Sequence, residues 1–299
     1  MKNKTTLGYT YIILSAIIYG CMPVMAKYIY NQGVNSLTLV LLRNVLALPI
    51  LAVLLCFEKR SKQNIEKASK HSIFMSIIPS MFGCVITPIL LFSSYNYLNS
   101  GTATVFHFIY PSLVLLIGII FLKKKPKAIT LLGVIVCLLG IIFFYDPSQT
   151  PNGYGALLAF SSGLTFAIYV TLLPRFQNKN FSGFTFGFFI ALWSSIMMLA
   201  VCLISGQLML PTSLLGWGLC ILFSTTITVC AVTLFQQGTL IIGSVKASVL
   251  SAFEPITSVI VGVIIFQEPS KPTIIIGSAL VIASGILIAI ADLKLKSKK

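Results

Sequence analysis

Two stretches of this sequence can be laid on each other without a gap, and their charges reverse. The first runs from Asn99 through Ala103, Pro111 and Gly118 to Lys127 and Gly133. The second runs from Gly243 through Ala247, Pro255 and Gly262 to Lys271 and Gly277, each pair 144 residues apart. The apolar part of the first copy ends in Lys123-Lys124-Lys125-Pro126-Lys127, that of the second in Gln267-Glu268-Pro269-Ser270-Lys271. Lysine and arginine gather on cytoplasmic loops of membrane proteins and thin out on the far side. Two copies lying upside down relative to each other in a bilayer carry this contrast, and inverted repeats are a signature of secondary transporters.

The rest of the chain demands a membrane. Hydrophobic residues make up 57% of its 299 positions and charged residues only 9%, against about 25% charged in soluble domains. Ten apolar runs approach the ~20 residues needed to cross a bilayer as a helix. They are expected at 7–30, 36–57, 72–95, 101–122, 128–145, 153–176, 182–204, 213–239, 244–266 and 273–291. The first is too long for a signal-peptide core and has no small-residue exit, so it is expected to remain as a span. The fold class is therefore all-α: ten transmembrane helices in two inverted five-helix repeats, 1–146 and 147–299, forming one integral membrane domain. Gly8-Tyr9 and Gly153-Tyr154 open the two halves alike. Five is odd, so duplicated halves must lie in opposite orientation.

Charge sets the orientation. One set of alternating loops, with both termini, holds seventeen lysines and arginines, and the other holds only Lys271. Both termini are expected in the cytoplasm. The net charge of +15 then belongs to basic loops that face anionic lipid, and nucleic acid is not an expected partner. The seven cysteines are scattered through apolar runs with no C-x-x-C pair and no metal spacing, which fits packing residues and no metal site.

Ionisable residues inside a bilayer are costly and commonly face a cavity or a partner. Lys27 and Lys246 lie near span ends, where snorkelling to the headgroups competes with a cavity role. Arg43 and His107 each lie seven residues into their spans, or ~10 Å deep at 1.5 Å per residue. Arg43 either anchors neighbouring carbonyls or meets a carboxylate or phosphate of a substrate, since its fork matches both. His107 either packs against a serine or serves as a cavity-lining donor or proton carrier. Glu254 lies ~15 Å into span nine, near the midplane of a ~30 Å core, and is the only acidic residue at such depth. It is either a structural acid beside Pro255 or a proton-coupling group in a central cavity. Tyr110, Trp193 and Gln236 are further cavity candidates by depth. Pro111 and Pro255 occupy equivalent places in the two halves, where they are expected to break their helices.

On these residues the chain resembles the drug/metabolite transporter superfamily, specifically its ten-span EamA-like branch. Ser251-Ala252-Phe253-Glu254-Pro255, Gly262, Phe266-Gln267-Glu268 and Gly277 are similar to the family's second-half pattern. Pro111 and Gly133 keep the first-half pattern, with Lys124 where the family often has Glu. Arg43 matches a common arginine of span two, followed by Asn44 where an aromatic is usual, and Tyr19-Gly20 stands where Trp-Gly is frequent. The resemblance implies a secondary transporter of small organic metabolites, with efflux of amino acids or related compounds, across a bacterial plasma membrane, by alternating access.

No Walker motif is present, so the expected energy source is a proton or substrate gradient, with no cofactor. Monomer and homodimer both remain open. A sugar-phosphate or nucleotide-sugar exchanger would need several cations converging on phosphates. An intramembrane enzyme would need a metal pair, a nucleophile elbow or paired aspartates, and the only aspartates, Asp146 and Asp292, sit at span ends. Enzymatic activity is not expected.

Overall fold

Every backbone polar group in a bilayer must find a partner inside the chain, which leaves helices or a closed barrel. The computed structural model takes the helical solution. It describes residues 2–57, 70–98, 100–123, 126–143, 152–176, 183–266 and 272–296, among which there is no strand. The charge-reversed loop residues Lys124, Lys125 and 267–271, and the junction 144–151, lie outside the described residues.

Among the described residues, seven helices are long and apolar enough to cross a membrane: Lys4–Tyr30, Ser36–Phe57, Ile73–Ser94, Thr102–Ile120, Gly153–Phe176, Gly183–Ser205 and Leu214–Ile242. Shorter apolar helices occupy Ala128–Ile142 and Ile275–Leu287, the latter inside a helix over Pro272–Lys296. The segment expected as span nine is a pair of helices, Ser244–Leu250 and Phe253–Phe266. With these the architecture is a polytopic all-α membrane fold of two repeats.

Prolines shape the spans by a local covalent fact: proline has no N–H, so the carbonyl four residues before it loses its helical donor. Span one turns at Cys21, between Lys2–Gly20 and Met22–Tyr30, just before Pro23. Span four breaks at Phe108-Ile109, between Ser100–His107 and Tyr110–Ile120, just before Pro111. Span nine breaks at Ser251-Ala252, just before Pro255, and there the Ser251 carbonyl accepts from the Glu254 N–H at 2.9 Å instead. The breaks in spans four and nine thus fall in corresponding places.

A second correspondence is not marked by any sequence motif. Span three winds as a π-helix over Ser80–Ile86, and span eight does so over Ser224–Ala231. The two starting serines repeat the 144-residue offset. π-Helical turns are rare and concentrate at functional sites.

Packing also obeys the repeat. Span one packs on spans eight and nine, while span six packs on spans three and four. Spans two and seven pack on each other, as do five and ten. The first segment of span four meets the second of span nine, and the second of four meets the first of nine. This is an antiparallel crossing of two broken helices, as an inverted duplication requires. Lipid is as apolar as leucine, so such contacts depend on close packing rather than on escape from water.

Candidate functional site

The broken helices leave a cavity between the two halves, with about 410 Å³ of atom-free space that is partly open to its surroundings. Its polar wall is Tyr19, Arg43, Thr87, His107 and Glu254, drawn from spans one, two, three, four and nine. Met22, Leu91, Phe92 and Phe166 form the apolar wall, and Gly83 of the span-three π-helix lies among them. Tyr19 packs against both large hydrophobic clusters of the protein, so the cavity sits where they meet.

Arg43 is held rigidly. Its helix starts at Asn35, whose side chain accepts from the Thr38 N–H at 2.8 Å. The Asn35 amide donates in turn to the Gln207 carbonyl at 2.7 Å, which ties this helix end to the loop after span seven. The Arg43 carbonyl accepts from the Ser224 hydroxyl at 2.7 Å, at the start of the span-eight π-helix. Its side chain is 3% exposed, and the guanidinium carbon lies 5.9 Å from the centre of the Phe92 ring. Arg43 Nε has no hydrogen-bond partner. A cation–π contact contributes ~0.5–2 kcal/mol, whereas inserting an arginine at a span centre costs at least ~2.5 kcal/mol. The guanidinium therefore retains unmet bonding capacity beside the cavity.

His107 is buried, and its Nδ1 lies 2.8 Å from Ser162 Oγ on span six. Glu254 is half-buried at the first turn after the span-nine break. No ion pair joins Arg43 to Glu254, although both line the same cavity. A cation and an acid thus face one space without pairing with each other.

The other residues expected at the site lie around it rather than on it. Tyr110 is fully buried behind His107, with ring centres 5.4 Å apart, and meets Phe166 edge-on at 4.8 Å. Gln236 is also fully buried and donates to the Tyr169 hydroxyl at 3.1 Å. Tyr169 presses on Gly83, where an added Cβ would stand 2.5 Å from its ring. Gln236 thus reaches the cavity wall only through Tyr169. Trp193 donates its indole N–H to the Ile73 carbonyl at 3.1 Å, joining span seven to the start of span three. Lys246 is half-buried in the first segment of span nine and does not line the cavity. Pro255 is buried, and Pro111 is buried next to Tyr110.

Comparison with known proteins completes this picture. The EamA-like transporter family matches the chain twice, over residues 6–145 and 153–290. The chain belongs to this family. Among its relatives is the uncharacterized transporter YetK of Bacillus subtilis, 22% identical over 303 residues, covering 98% of this chain and 90% of that one. Another is the uncharacterized inner membrane transporter YicL of Salmonella typhimurium, 24% identical over 299 residues, covering 96% and 97%. A solved crystal structure superposes with a TM-score of 0.73 at 15% identity over 99% of both chains, which shows the shared fold.

In this EamA-like transporter, sequence reasoning missed the cavity side chains Tyr19, Met22, Thr87, Leu91, Phe92 and Phe166. Tyr19 had a signal in the Tyr19-Gly20 pair. A Cβ on Gly20 would clash with the Glu254 carbonyl and with Thr257, so the glycine brings span one against the Glu254 turn and Tyr19 follows into the cavity. Met22, Thr87, Leu91, Phe92 and Phe166 carry no such mark. Methionine, threonine, leucine and phenylalanine are ordinary in apolar helices.

Proposed function

We propose that this EamA-like protein is a secondary active transporter that exports amino acids or related small organic metabolites by alternating access. The observation that carries this reading is the meeting of Arg43, His107 and Glu254, from spans two, four and nine, at one cavity beside two antiparallel broken helices. Transporter sites commonly lie near the midplane, at the interface of repeats, next to interrupted helices. Arg43 binds the substrate carboxylate through its guanidinium fork, whose Nε is unpartnered. Glu254 takes the ammonium group or, between substrates, a proton, which couples export to a proton gradient. Leu91, Phe92 and Phe166 receive the apolar part of the cargo. With Lys246 off the cavity, Arg43 is the one lysine or arginine among the described residues on its wall, which favours a single carboxylate over a phosphate group. Both termini lie in the cytoplasm of the plasma membrane, following the basic loops.

The test is a panel of proteoliposomes loaded with amino acids, drugs or sugar phosphates, assayed with and without a pH gradient. Efflux of amino acids accelerated by an opposing proton gradient is expected. Counterflow confined to sugar phosphates would replace the cargo assigned here, and chemical turnover without flux would replace transport with an enzymatic role.

A further inference from the structure

Span six presents two hydroxyls to the cavity wall, and each has its proton already committed. The Ser162 hydroxyl donates to the Ala159 carbonyl at 2.6 Å, and the Thr165 hydroxyl donates to the Ser162 carbonyl at 3.0 Å. A hydroxyl holds one proton and two acceptor lone pairs. Toward any second neighbour, each of these can therefore only accept.

For Ser162 that neighbour is His107 Nδ1, at 2.8 Å; for Thr165 it is the Thr87 hydroxyl, at 2.7 Å. The reverse assignment would turn the Ser162 proton to His107 and leave two oxygens facing each other at 2.6 Å with no proton between them. So Nδ1 of His107 carries the proton of the neutral ring, and the Thr87 hydroxyl points its proton at span six, the one arrangement in which both threonine protons lie in these two hydrogen bonds. A neutral imidazole has one donor and one acceptor nitrogen. Nε2, on the other edge of the ring, is then a bare acceptor, and so are the remaining lone pairs of Thr87. Both residues line the cavity.

We infer that Ser162 and Thr165 set the hydrogen-bond polarity of the cavity: they fix His107 and Thr87 as acceptors, so that beside Glu254 the site takes the N–H groups of a ligand's ammonium, or a hydroxyl donor, there, while Arg43 takes its anionic or carbonyl group. Ser162 and Thr165 are positioning residues, since they act through His107 and Thr87. The inference rests on the cavity being the transport site, and it adds a selection rule. A ligand whose nitrogen is fully alkylated has no N–H to give, and it leaves the acceptors unsatisfied. Leaving buried polar groups unpaired weakens binding by about tenfold or more.

Two measurements on the full chain in lipid vesicles test this. The chain has two histidines, so His71→Gln leaves His107 alone for nitrogen-15 NMR of the ring. Protonated Nδ1 with unprotonated Nε2 is expected. Ser162→Ala should shift the population toward the Nε2–H form, and Ser162→Thr should restore the original one. An Nε2–H ring or an imidazolium in the chain with Ser162 intact would overturn the inference.

The second measurement compares leucine, whose side chain suits the apolar wall, with N,N,N-trimethylleucine. Leucine flux about tenfold or more above that of the trimethyl compound is expected, and equal flux would overturn the selection rule. If neither moves while the Nδ1–H form holds, the amino-acid cargo fails and the acceptor assignment stands.

Discussion

Gly20 and Glu254 touch backbone to backbone: a Cβ on Gly20 would stand 2.8 Å from the Glu254 carbonyl oxygen. The same would-be Cβ lies 2.5 Å from Thr257 Cβ. The other half repeats the device. A Cβ on Gly163 of span six would stand 2.5 Å from the carbonyl oxygen of His107, the carbonyl that Pro111 frees. Each half therefore uses a glycine to bring its first span against the broken helix of the opposite half.

Gly20→Ala should consequently separate span one from span nine and destabilise the fold. Backbone and a β-carbon must yield, so about 1–3 kcal/mol is expected, typical of overpacking. Thermal unfolding in detergent would measure it. Gly218, whose added Cβ would meet nothing within 4 Å, is the control, and equal losses at both positions would refute the close-approach argument.

Arg43→Lys should cut transport about tenfold or more while leaving expression and unfolding temperature near normal, because lysine keeps the charge but not the planar fork. Arg43→Gln should lose more. Vesicle flux and a thermal scan on the same preparations would separate binding from folding. Normal transport by both variants would remove Arg43 from substrate binding.

Glu254→Gln keeps the shape of the side chain and removes its proton exchange. It should abolish accumulation driven by a pH gradient while preserving part of the substrate-for-substrate exchange. Paired assays of gradient-driven transport and counterflow would show the split. Unchanged gradient-driven transport would exclude Glu254 from coupling.

Single reporter cysteines in a chain freed of its seven native cysteines would read the orientation. Lys62 and Lys125 should be protected from an impermeant reagent applied outside, and Asn35, Asn99 and Gln149 should be labelled. Of these only Asn35 lies among the described residues. Protection at Gln149 would contradict opposite orientation of the two halves.

What the sequence by itself determined follows from local chemistry and from position along the chain. Apolar runs of bilayer length define spans, because an unpaired backbone cannot sit in lipid. Pro111 and Pro255 mark the breaks, because a missing N–H is a covalent fact of one residue. Depth along a span follows from counting residues, and that was enough to single out Arg43, His107 and Glu254. What only the tertiary structure decided is direction around each helix. These spans are apolar on nearly every side, so no polar stripe marks the face that turns inward. Depth alone does not separate Trp193 and Gln236 from Thr87 or Phe92. Packing turned Trp193 to the Ile73 carbonyl and Gln236 to Tyr169, and it turned Tyr19, Thr87, Phe92 and Phe166 to the cavity. The proton on His107 was decided in the same way. It depends on Ser162, 55 residues along the chain, and on a serine proton already donated to Ala159, a relation that exists only once span four lies against span six.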